Sequence, residues 1–166
     1  MKRRRSPVRH AKDGFVIDLG DDEAALVRRL LDELRQLLTN PEPDSSERLL
    51  TVRLFPVAHP DDEQAEAEYQ RLMRDELVQS KVAAIDQVDE VLAESRRGAR
   101  TFDEPQLVAF MQSINAIRLV LGTMLGVTDD PDEAEVVEQV TDSAEYHLYA
   151  YLSWLLEHCV LAVSDR

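Results

Sequence analysis

The sequence predicts a mainly α-helical protein, a single-domain bundle of about five helices with a short two-stranded β element near the N-terminus. Three observations carry this expectation. The 166 residues include only 5 Gly, too few for the many tight turns of a strand-rich or βαβ fold. Leu, Ala, Glu and Arg are abundant, and these are good helix formers. Apolar residues make up 44% of the chain, enough for one sizeable core, and they recur at spacings of three and four.

Residues 1–12 carry six Lys or Arg and no acid, which predicts a disordered basic arm ahead of a helical domain over 13–166. "GFVIDL", Gly14 to Leu19, reads as a short strand. A helix is expected over 22–38, where Leu26, Val27, Leu30, Leu31, Leu34, Leu37 and Leu38 form one stripe, with Asp21 or Asp22 as its cap. "TNPEPDSSE" (39–47) reads as a loop, and "LLTVRLFP" (49–56) as a second β-like run to pair with the first. A long helical stretch follows over about 62–95. Its face of Tyr69, Leu72, Met73 and Leu77 changes phase to Val78, Val82, Ile85, Val88 and Leu92, which predicts a kink or break near 77. Arg96 and Arg97 would end it, with Gly98 as the stop.

The next helix is expected over 103–125. Thr101 or Asp103 caps it, Pro105 fits its first turn, and Leu107, Phe110, Met111, Ile114, Ile117, Leu121, Met124 and Leu125 form its core face. Gly122 permits close approach of a neighbour and Gly126 ends the helix. A last helix is expected over 131–163, started by Asp130, Pro131 and Glu133 and carrying Val137, Val140, Ala144, Leu148, Tyr151, Leu155 and Cys159 on one face.

Composition bounds the function. No apolar run approaches the ~20 residues of a membrane span, and the charged N-terminus lacks the apolar segment of a secretory signal. A cytoplasmic protein without membrane contact is expected. A single Cys excludes an intramolecular disulfide. Of the 19 basic residues, thirteen lie beyond residue 12 and face all 33 acids, a net of −20 for the body. Such a body repels a phosphate backbone. Solubility is sufficient reason for such a charge, a basic protein partner is the second reading, and weak nucleic-acid contact is expected only through residues 1–12.

Within "VAHPDDEQ", Val57 to Gln64, the letters "AHPDDE" resemble the zinc motif of the LmbE/PIG-L class of N-acetylglucosamine deacetylases. That resemblance implies zinc on His59 and Asp62 and a general base at Asp61. Three features oppose it: the motif lies a third of the way along a helical chain, Pro56 interrupts the run before it, and spacing places no third ligand. His147 and His158 lie eleven residues apart on one helix, about 16 Å by the helical rise, so they cannot share a metal. Helix capping explains the same letters, with Asp61 as N-cap, Gln64 completing a capping box, and Asp62 and Glu63 in the first turn. No catalytic, cofactor or metal site is therefore expected.

The remaining constellations read as structural. Asp142, His147 and Ser153 crowd one helix at spacings that make no triad. Tyr146, Tyr149 and Trp154 form a packing face, with ligand stacking the weaker reading. Cys159 faces the core as an inert thiol, and Arg118 is expected to be buried against an acid.

"RLFPVAHPDDEQAEAEYQRLMRDEL" (53–77) and "INAIRLVLGTMLGV" (114–127), with the opening "GFVIDLGDDEAALVRRLLDELRQLL", resemble the two signatures of an actinobacterial family. It is the family of the oxidative-stress transcriptional regulator AosR, whose genes often neighbour that of the Clp protease adaptor. The resemblance covers about residues 14–163. It implies a non-enzymatic regulator that acts through protein contacts with the transcription machinery, a sigma factor foremost. Redox sensing within one chain would need two thiols, and this chain has one.

Overall fold

The "KDG" of residues 12–14 turns the chain before the body begins. In the computed structural model, which describes residues 6–94, 98–127 and 142–165, β1 (Val8–Ala11) and β2 (Gly14–Asp18) form a tight hairpin with Ala11 opposite Gly14. Asp-Gly is a strong hairpin signal. Gly14 has φ 131°, and a Cβ there would collide with the Phe102 carbonyl. β3 (Ala99–Phe102) pairs antiparallel on the other side of β2, Phe15 opposite Phe102, giving the order β1-β2-β3. The β element thus has three strands rather than two, and the basic arm is cut short: Val8 is 2% exposed, and residues 8–11 belong to the sheet. Residues 1–5 lie outside the described residues.

Helix α1 runs over Asp21–Thr39, close to expectation. Its N-cap is Gly20 rather than Asp21 or Asp22, and the Gly20 N–H donates to Glu23 at 2.7 Å. The three acids of the first turn face the positive end of the dipole.

The expected strand over 49–56 is instead helix α2 (Ser45–Thr51) followed by a 3-10 turn, Val52–Leu54. The reason lies in its start. The Asp44 carboxylate accepts from the Glu47 N–H at 2.9 Å, while Glu47 accepts from the Asp44 N–H at 3.0 Å. This reciprocal cap commits the chain to a helix despite its β-like composition, and Thr51, Leu54 and Phe55 turn inward at helical spacing.

Helix α3 (Glu63–Ala93) is a continuous helix of 31 residues, so the expected break near 77 does not divide it. The change of phase marks where packing begins. Leu77 and Val78 are the first apolar side chains of α3 to pack against the core, and Ile85, Val88, Val91 and Leu92 are buried in it. From Glu63 to Glu76 the helix projects beyond the core. α1 and α3 run antiparallel, tied by Arg28–Asp89 at 2.8 Å and Arg35–Asp86 at 2.6 Å. These exposed pairs fix register more than they stabilise. α3 ends at Ala93, and Gly98, with φ 85°, leads into β3 instead of stopping the helix. Arg96 and Arg97 lie outside the described residues.

Helix α4 (Glu104–Met124) is capped by Asp103, which accepts from the Gln106 N–H at 2.8 Å, with Pro105 in the first turn. It ends in a Schellman motif: Val127 N–H donates to the Gly122 carbonyl and Gly126 N–H to that of Thr123, with Gly126 at φ 66°. Contrary to the reading of apolar runs, α4 is by length and hydropathy apolar enough to cross a membrane. It is the central helix: α1, α2, α3, α5 and the sheet all pack on it, and Leu107, Phe110, Ile114, Ile117 and Leu121 are buried. Met124, expected in the core, is 55% exposed.

Helix α5 (Ala144–Ser164) packs on α4 and β1 through Leu152, Leu155, Cys159 and Ala162. Gly122 provides the close approach, since a Cβ there would stand 3.4 Å from the Tyr149 ring. No single helix runs over 131–163 as expected: Ser143 is extended and its hydroxyl accepts from the Tyr146 N–H at 3.1 Å, a cap that starts α5 at Ala144; Asp130, Pro131, Glu133, Val137 and Val140 lie outside the described residues. The buried side chains of helices and sheet merge into one core.

Candidate functional site

The segment 53–77 folds into one structural unit at the projecting end of α3. Leu54 and Phe55 are 4% and 5% exposed and anchor the 3-10 turn in the core. Past Pro56 the chain turns outward through Val57–Asp62, and Glu66 holds that turn. Its Oε2 accepts the N–H of Ala58 at 2.9 Å and of His59 at 2.7 Å, and Oε1 accepts from the Gln70 amide at 2.7 Å. These bonds, that of Gln70 foremost, hold the Glu66 carboxyl below the usual carboxylate range. The His59 ring stands edge-on to Tyr69 at 5.9 Å, and the Arg74 guanidinium lies 4.3 Å above the Phe55 ring.

The "HPDD" letters do start a helix, but one residue later than expected. Asp62, not Asp61, is the N-cap: its carboxylate accepts from the Ala65 N–H at 3.0 Å. Pro60 and the His59–Asp62 turn delay the helix, so Gln64 completes no capping box with Asp61. The motif's second Asp is thereby committed to the helix end. Among the described residues no three His, Cys, Asp or Glu side chains gather where they could hold a metal ion. Each of the two α5 histidines bonds its own helix, His147 Nδ1 to the Ser143 carbonyl and His158 Nδ1 to that of Trp154, both at 2.8 Å. Ser153 bonds the Tyr149 carbonyl.

The other candidate residues are equally placed by packing. Among the described residues Arg118 meets no acid: Nη2 donates to Asn115 Oδ1 at 2.9 Å, and its guanidinium sits 5.9 Å from the Tyr149 ring. Trp154, 41% exposed, lies against His158 and Tyr151. Tyr151 donates to Glu23 at 3.1 Å, linking α5 to α1; burial, then the Glu23 charge, raises its phenol. Cys159 is fully buried, and burial pushes its thiol up to about 12.

What this unit offers is a surface. Val52, Phe55 and Val57 line an open groove of about 570 Å³ with Arg48, Glu66 and Arg74 at its edge. Val52 is 56% and Val57 62% exposed, and Leu49, three residues before Val52, is 63% exposed. These large apolar side chains stand in water together on one short segment rather than as scattered exceptions. Sequence reading missed it because it took 49–56 for a strand, whose alternation assigns these residues to different faces. Beside the groove, residues 61–76 hold seven acids against Arg71 and Arg74, and all seven are wholly or partly exposed.

The fold and this surface define a small helical protein with a three-stranded sheet and an acidic, apolar-centred face. The chain belongs to the family described as a domain of unknown function (DUF2017), whose model matches residues 5–163. No curated protein and no solved structure matches it.

Proposed function

We propose that this protein is a non-enzymatic, cytoplasmic regulator of transcription in the stress response. It docks the groove of Val52, Phe55 and Val57 and the acidic start of α3 onto a basic, apolar-tipped surface of a sigma factor or another part of the transcription machinery. The exposed apolar groove inside an acidic body carries this reading, because it pairs a desolvating centre with a charged rim. The resemblance of the same segment to the AosR family supports the choice of partner.

The zinc amidase reading is weaker. It would take Asp62 from the end of α3, and it lacks a third ligand among the described residues.

Binding of the purified protein to purified sigma factors and core RNA polymerase of the host, followed by biolayer interferometry, tests the proposal. The expected result is affinity that falls with salt and drops at least about tenfold in Val57→Glu and Val52→Glu, both well exposed and so of little consequence for folding. Equal binding by wild type and variants would refute the docking face. Zinc near one per chain, lost in His59→Ala, would favour the amidase.

A further inference from the structure

A second concavity lies away from the docking groove, where α3 enters the core beside α4. It encloses about 290 Å³, near the lower end of the ~300–1,000 Å³ typical of small-molecule pockets. Leu34, Leu54, Leu77, Ile85 and Leu119 supply its apolar walls, and Arg53, Ser80, Lys81, Gln112, Ser113 and Asn115 its polar ones. Two polar groups in it lack a partner among the described residues. Lys81 is about half buried; burial alone lowers its pKa, and it meets no carboxylate among the described residues. Ser113 is 3% exposed and its Oγ has no hydrogen-bond partner, although a helical serine can usually bond the carbonyl one turn back. Buried polar groups are nearly always paired, so a buried, unpartnered hydroxyl on a residue that lines the same cleft as Lys81 signals a missing partner. Asn115 also lines the space. Its oxygen is taken by Arg118, which leaves its amide nitrogen to offer. Lys81, Ser113 and Asn115 thus present donors, the complement of an anion.

We propose that this cleft binds a small monocarboxylate with a short apolar tail. The carboxylate sits on Lys81, takes hydrogen bonds from Ser113 and Asn115, and lays its tail along Leu34, Leu77 and Leu119. A single charge suits the site: Arg53, which also lines the cleft, already donates to the Val127 carbonyl at 3.3 Å, so Lys81 is left to meet one carboxylate, whereas a phosphate dianion would bury surplus charge in a body already at −20. The proposal does not depend on the docking reading, since none of these residues lines the docking groove.

Hexanoate, hexanamide and inorganic phosphate titrated into the full-length chain, read by amide chemical shifts and calorimetry, test it. Hexanoate is expected to bind saturably at millimolar concentration or below and to raise Tm. Hexanamide and phosphate should bind at least about tenfold more weakly, since a neutral amide lacks the charge and phosphate lacks the tail. Lys81→Met should lose at least about tenfold in hexanoate affinity while its unliganded Tm holds or rises, because a half-buried charge has been removed. Ser113→Ala should weaken binding several-fold at unchanged fold. The proposal fails if hexanoate does not saturate, if Lys81→Met binds it as tightly as wild type, or if phosphate binds equally well.

Discussion

Cys159 separates a protein that responds to oxidants through its own thiol from one that does not. Only the thiolate reacts appreciably with alkylating agents and peroxide. Burial moves this thiol from 9.0 to about 12, so at neutral pH the ionised fraction falls by about a thousandfold. The side chain is also fully covered, with α5 packed on α4 and β1 around it, so the reagent needs a local opening as well. Alkylation by iodoacetamide at neutral pH, followed as a mass shift, should therefore run at least about a thousandfold more slowly in the native chain than in concentrated guanidinium. Mild peroxide should leave the chain monomeric on non-reducing gels. A native rate within about tenfold of the unfolded rate would refute both the burial and the ionisation argument. So would a peroxide-induced, reductant-reversible dimer that disappears in Cys159→Ser. If the expectation holds, a stress response in this protein follows from its abundance or its partner's state.

The same thiol predicts a pH dependence. Its folded value is raised, so its contribution to stability is complete below the unfolded value of 9.0 and is lost as pH climbs from there toward about 12, by about 1.4 kcal/mol per pH unit. The urea midpoint should fall over that range, and fall less steeply in Cys159→Ala. Asp103→Ala removes the cap of the central helix and should cost about 1 kcal/mol, a Tm loss of about 2–4 °C by thermal melt. Asp61→Ala, which removes no cap, should change Tm by less than about 1 °C, and a larger loss would mean that the helix start is misplaced. Deleting residues 1–5 should remove any salt-dependent DNA affinity while leaving Tm unchanged; retained affinity would place the contact on the acidic body. Deleting 1–12 should destabilise the fold, because it takes out β1 and the buried Val8.

The helices α1 and α4, the body of α5, the start of α4 at Asp103 and its stop at Gly126 were legible because their signals are local. A stripe at spacings of three and four, a capping aspartate and a glycine at positive φ act within one or two turns. Charge was equally legible: it is a sum over residues, and an acidic body with a basic N-terminus holds whatever the fold. What the sequence left open depends on partners distant along the chain. "VRHA" and "ARTF" are too short and too charged to announce strands, and they become β1 and β3 only because β2 lies between them, the 81-residue separation of the partners Asp18 and Ala99 being no obstacle once α1 and α3 have folded back. The 49–56 run carries β-like residues, and the reciprocal cap of Asp44 and Glu47 turned it into a helix. The phase change at Leu77 signalled an event in α3, but whether the helix bends or merely leaves the core depends on where its neighbours end. The groove at Val52 and Val57 and the cleft at Lys81 and Ser113 were invisible for the same reason: exposure, desolvation and a missing hydrogen-bond partner are properties of surroundings, and only tertiary packing supplies them.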